Sequence, residues 1–174
     1  MQIARSLLIL LGLCVGALGT AHAQSAPTNF VAHLDGTQEV PERDTAGVGQ
    51  AVFQLNAAGS ALHYRLIASN IENVVAAHIH LGVAGVNGPV VAFLFGNVPA
   101  GGGRTDGVLG TGTITSANLV GPLAGMSLSV LIAAMRDGGT YANVHTNDGI
   151  DPIDTGPGDF PGGEIRGQIR LAGN

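Results

Sequence analysis

Apolar and polar positions alternate with a period of two over most of this chain, in short runs broken by Gly, Asn, Asp and Pro. That is the pattern of half-buried β-strands joined by tight turns. Residues 28–34 put Phe30, Ala32 and Leu34 on one face and Val31 and His33 on the other. Residues 48–55 and 61–68 predict a hairpin turned at 56–60, with Leu62, Tyr64 and Leu66 inward and His63 and Arg65 outward. Further strands are predicted over 74–81, 89–95, 108–115, 140–146 and 163–171. The run PVVAFLF at 89–95 is apolar on both faces, which predicts a strand covered on both sides. VLGTGTIT at 108–115 carries small residues that permit close backbone approach. One stretch breaks the rule of two: Leu128, Leu131, Ile132 and Met135 recur at helical spacing within 126–136, before Asp137-Gly138-Gly139. This predicts one short helix packed over an all-β sandwich or barrel, with loops at 37–47, 97–107 and 147–161.

The start of the chain departs from that pattern. Arg5 is followed by a mostly apolar run at 7–18, and Ala21-His22-Ala23 precedes Gln24, the three parts of a secretory signal peptide over 1–23. No apolar run reaches the 18 residues of a membrane span. A lipid anchor on Cys14 does not fit, because Leu13 stands where a small residue should precede the cysteine. The expectation is therefore a secreted chain, periplasmic or extracellular, folding as one domain over 24–174 with its core at about 28–172. That segment has six Arg, no Lys and twelve acids, a net charge of −6, and no cysteine. An acidic, lysine-free surface argues against nucleic acid or an anionic membrane as partner. Without a disulfide, the domain must be held by its core, by a metal or by association.

The chemistry concentrates in AAHIHLG at 76–82. On a strand, His78 and His80 leave the same face about 7 Å apart. His145, in YANVHT, is a third candidate that only a folded sheet could bring near. Three imidazoles with an open fourth position suit a borderline metal, copper first and zinc second, provided their nitrogens lie within about 4 Å of one another. The bland alternative is three half-buried histidines hydrogen-bonded across the sheet, with Asn143 and Thr146 as partners. His33 and His63 sit at outward strand positions and read as solvent-facing.

FVAHLDGTQEVP at 30–41, LHYRL at 62–66, AAHIHLGVAGVNGPVV at 76–91, YANVHT at 141–146 and GGEIRGQIR at 162–170 run in a familiar order. With these motifs the chain resembles the CHRD domain, the module first described in chordin and found widely in secreted bacterial proteins. The resemblance implies a Greek-key or immunoglobulin-like β-sandwich, and it implies fold more than function. The chain carries one copy, and its 147–159 segment is longer than the link expected between the last two motifs. His-x-His on a strand of such a domain also looks like the copper-ligand strand of copper–zinc superoxide dismutases, although the remaining dismutase ligands are not found here.

Other constellations carry less. Glu164 and Arg166 lie two apart: Glu164 is a candidate outer partner for a ligating imidazole, and Arg166 reads as half of a cross-strand ion pair rather than as an anion guide. Asp148, Asp151, Asp154 and Asp159 supply oxygens for a weak calcium site in the 147–161 loop, although their spacing matches no known calcium motif and turn formation explains them better. No serine or cysteine nucleophile motif and no phosphate loop is present. The leading expectation is a metal-handling domain using His78, His80 and His145. Next come a metal-free module for an extracellular protein or polysaccharide, and then a dismutase-like redox enzyme.

Overall fold

The computed structural model describes residues 28–173. The expected signal peptide at 1–23 lies outside them. Among the described residues nine strands and one α-helix follow the predicted order, with the one strand expected over 163–171 divided into two: β1 Asn29–Asp35, β2 Val48–Leu55, β3 Leu62–Glu72, β4 Val74–Leu81, β5 Val90–Gly96, β6 Arg104–Ile114, α1 Leu128–Arg136, β7 Thr140–Thr146, β8 Ile165–Gln168 and β9 Arg170–Leu171.

All strand pairings are antiparallel and lie on one path, β5-β4-β7-β8-β1-β2-β3-β6, with β9 against β1. The all-β class with one short helix therefore stands. The immunoglobulin-like sandwich is not what the strands form: they make one sheet, not two facing ones. That sheet curls until its edge strands β5 and β6 nearly meet. Tyr64 on β3 reaches past β6 and donates its hydroxyl to Leu94 O on β5 at 2.9 Å. Gly110 on β6 is the reason the edges come so close, since a Cβ there would lie 2.6 Å from Leu94 O. The small-residue strand expected at 108–115 is thus the closing strand of a near-barrel.

The interior is filled by alternate residues of the strands. Phe30, Leu34, Phe53, Leu62, Leu66, Ile79, Ile114 and Ile165 are among its buried side chains. Helix α1 begins at Ser127, whose hydroxyl accepts from Ser129 N–H, and it buries Leu128, Leu131, Ile132 and Met135 in the same core. Each such side chain contributes about 2 kcal/mol on removal from water. His33 and His63 are exposed, as outward alternation requires. β5 differs from expectation: it is an edge strand, and Phe93 on its outer side is 43% exposed. Apolar content on both faces did not mean cover on both faces there.

Strands β4, β7 and β8 are the exception to in-out alternation, because both of their faces are covered. Ala77, Ile79, Ala142, Val144 and Ile165 join the core. The opposite face carries His78, His80, Tyr141, Asn143 and Arg166, all buried. Three connections lie over it, contributing Glu39 from 36–47, Gly88 from 82–89 and Pro161 from 147–164.

Candidate metal centre

The register of β4 against β7 assembles the histidines. His80 stands opposite Tyr141, His78 opposite Asn143, and His145 opposite Ala76. Because Ala76 offers only a methyl group, the His145 ring is free to lean diagonally toward His78. The ring centroids of His78 and His145 are 4.9 Å apart, those of His78 and His80 5.6 Å, and those of His80 and His145 5.9 Å. One nitrogen from each ring can be chosen so that all three lie within 4.8 Å of one another. This is wider than the expected 4 Å and wider than the ~3.3 Å between nitrogens sharing a tetrahedral ion. Closing the set around an ion at 2.0–2.1 Å takes a movement of less than about 1 Å per ring.

Backbone carbonyls decide which nitrogens are available. His80 Nδ1 lies 2.9 Å from Gly88 O, and His145 Nδ1 lies 2.9 Å from Pro161 O. A carbonyl has no hydrogen to give, so each Nδ1 must carry the proton and each Nε2 must present a lone pair. Carbonyl partners of this kind orient metal-bound imidazoles and fix their tautomers. His78 Nδ1 faces His145 Nε2 at 3.1 Å. His80 Nε2 is buried and has no hydrogen-bond partner.

The turn GVAGVNG is shaped for this contact. A Cβ on Gly88 would lie 1.5 Å from Leu81 O, and one on Gly82 would lie 2.7 Å from Val86 O and 3.0 Å from Tyr141 Cε1. Only glycine lets the turn fold onto Tyr141 and aim its carbonyl at His80. Tyr141 stacks on His80 at 4.8 Å with 10° between the planes. On its ring the Arg166 guanidinium sits 3.4 Å from the centroid. Phe93 closes the other flank, its ring set edgewise to His78 at 4.7 Å.

Burial holds all three imidazoles neutral. It pushes His78 down to about 3, helped by His145 and His80. It pushes His145 down to about 4, against the Pro161 hydrogen bond. His80 is lowered mainly by burial and further by the charge of Arg166, with the Gly88 hydrogen bond opposing. Neutral imidazole is the form that ligates a metal at physiological pH.

The CHRD domain family model matches residues 30–152, a span that includes His78, His80 and His145. The chain belongs to the CHRD domain family. The match ends inside the 147–161 loop, so the GGEIRGQIR motif of this CHRD chain lies beyond it. No curated protein sequence matches the chain.

The remaining sequence candidates fall elsewhere in this CHRD domain. Asn143 and Thr146 are not the histidines' partners: Asn143 donates to Glu39 Oε1 at 2.8 Å, and Thr146 donates to Glu164 Oε2 at 2.6 Å. Glu164 falls in a bend before β8, so the period-two argument that gave it the face of Arg166 does not hold. Its carboxylate accepts from the hydroxyls of Thr45 and Thr146 and from Gly158 N–H, and so serves no imidazole. Arg166 pairs neither with Glu164 nor with solvent. Its guanidinium donates to Val83 O, Val86 O and Asn87 Oδ1, and the residue is 1% exposed.

The four acids of the 147–161 loop are not gathered for calcium. Asp148 accepts from Ile150 N–H, Asp154 pairs with Arg43 at 3.2 Å, and buried Asp159 accepts from Thr155. Among the described residues the group of three or more ligand side chains that converges is the histidine set. Sequence reasoning missed Glu39, a buried carboxyl that burial raises to about 7 against the pull of Arg166 and Arg43. Its run of Thr37 to Gly47 carries four charges and a proline and looks like any solvated loop. Tyr141 had a weak signal, since it lies two residues before Asn143 and four before His145 on one face of a strand.

Proposed function

We propose that this domain binds a transition metal through His78, His80 and His145, with copper the first candidate and zinc the second. The observation that carries the reading is His80 Nε2, a buried lone pair with no protein partner, on a ring that belongs to a cluster of three imidazoles. Leaving such an acceptor unsatisfied costs about 1–3 kcal/mol, a cost that ligation removes. The carbonyls of Gly88 and Pro161 already hold two of the rings in the ligating tautomer. With the signal peptide expected at 1–23, the function is metal handling, or a metal-dependent interaction, in the periplasm or outside the cell.

The 3.1 Å contact between His78 and His145 favours a second reading, in which the rings only brace β4 against β7 and the domain is a metal-free module for a protein or polysaccharide. One experiment separates the two. The protein is purified without a histidine tag, titrated with copper and zinc, and assayed by elemental analysis beside a His78→Ala, His80→Ala variant. One ion per wild-type chain and none in the folded variant is the expected result. A wild-type protein that holds neither metal overturns the proposal. A copper-loaded protein that turns over superoxide would move the reading to a dismutase-like enzyme.

A further inference from the structure

Resting on that metal reading, we infer that the site is built to prefer cuprous copper, Cu(I), over the divalent ions Zn(II) and Cu(II). Imidazole is a donor that copper and zinc both accept, so the ligand atoms alone do not choose between them. The charge around them does.

All three donors are neutral, and no carboxylate or thiolate joins the group. The bound centre therefore keeps the full charge of its ion. His78 and His80 are 9% and 8% exposed, so little water screens it. The cost of desolvating an ion rises with the square of its charge, so a divalent ion pays about four times what a monovalent ion pays at equal size. A carboxylate behind a ligating histidine would offset part of a divalent charge, which a neutral carbonyl does not. Here carbonyls stand behind His80 and His145. Among the described residues the buried carboxyls hydrogen-bond elsewhere: Glu39 with Asn143, Glu164 with Thr45, Thr146 and Gly158, and Asp159 with Thr155.

A fixed cation opposes the second charge further. The guanidinium of Arg166 lies on the Tyr141 ring, and Tyr141 stacks on His80, so a buried positive charge sits one ring away from the ligand set.

The test is a set of competition titrations on the tag-free protein: Cu(I) under anaerobic reducing conditions against a chromophoric Cu(I) chelator, Zn(II) against a zinc dye, and Cu(II) followed by electron paramagnetic resonance. The expected result is one Cu(I) per chain, held at least about 100-fold more tightly than Zn(II), with bound copper remaining silent to paramagnetic resonance in air. Zn(II) or Cu(II) bound as tightly as Cu(I) overturns this inference and leaves the metal site standing. Failure to bind any of the three overturns the site itself. Arg166→Gln narrows the Cu(I)-to-Zn(II) ratio about 10-fold, whereas Arg166→Lys, which keeps the charge, preserves it. An unchanged ratio in an Arg166→Gln protein with wild-type circular dichroism overturns the charge argument.

Discussion

On one face of β4, β7 and β8, Ala77, Ile79, Ala142, Val144 and Ile165 pack into the core with nothing to satisfy but volume. On the other face of the same strands, His78, His80, Tyr141, Asn143 and Arg166 are just as covered, and there each polar atom needs a partner. The apolar face tolerates any neighbour of the right shape. The polar face is specific, because Gly88, Pro161, Glu39 and Asn87 must each arrive with the correct atom. The leftovers on that face are therefore informative. His80 Nε2 and Asn143 Oδ1 lack partners, while an apolar face has no atoms that could reveal a ligand.

Acid separates the two faces most strongly. In the metal-free protein His78 and His145 stay neutral down to about 3 and 4, while the unfolded chain takes up protons near 6.5. The unfolded state thus binds more protons throughout that window, and stability falls as pH drops from about 7 toward 4. Each of these two histidines contributes a loss of about 2 kcal/mol between pH 7 and pH 5. Urea unfolding of the chelator-treated protein at the two pH values measures it. A His78→Leu, His145→Leu variant retains most of its pH 7 stability at pH 5. If the double variant is as acid-sensitive as the wild type, the polar face is not where protons act.

The apolar face answers to volume instead. Ile79→Ala, between the two β4 histidines in sequence but on the opposite side of the strand, removes a fully buried side chain. It should cost about 3 kcal/mol, lowering Tm by roughly 10 °C for a domain of this size. Metal stoichiometry by elemental analysis should not change below the new Tm. A folded Ile79→Ala protein that has lost its metal would mean the two faces are one mechanical unit.

The apolar face was legible in the sequence, and the polar face only in part. Alternation identified β2, β4 and β7 to the residue, and the helical spacing of Leu128, Leu131, Ile132 and Met135 identified α1. It also put His78 and His80 on one side, because period two is a local property. Whether that side meets solvent or a loop depends on connections that fold back over it, from 8 residues away at Gly88 to 104 at Glu39, which no strand pattern encodes. Hence Glu39 passed for a surface charge, and Glu164 and Arg166 for an ion pair. The closure of one sheet toward a barrel was equally hidden. Strand composition is the same in a sandwich and a barrel, and the difference rests on how near β6 comes to β5, which Gly110 decides.

Glu39 sharpens the comparison by running against the histidines. Burial raises its carboxyl to about 7, well above the usual carboxylate range. Between pH 4.5 and 7 the unfolded chain has released this proton while the folded protein still holds it. The sign is therefore opposite to that of the imidazoles, and Glu39 lowers stability as pH rises through that window. Glu39→Gln removes the penalty while keeping an oxygen for Asn143, so the variant should be more stable than wild type at pH 8 by about 1 kcal/mol, and no more stable at pH 4.5. The size is smaller than one titration alone would give, because the substitution also takes a negative partner from Arg166 and Arg43. Chemical denaturation at both pH values reads the effect. A variant less stable than wild type at pH 8 would mean that Glu39 ionises in the fold without penalty, and that the polar face balances Arg166 with charge, not with a proton.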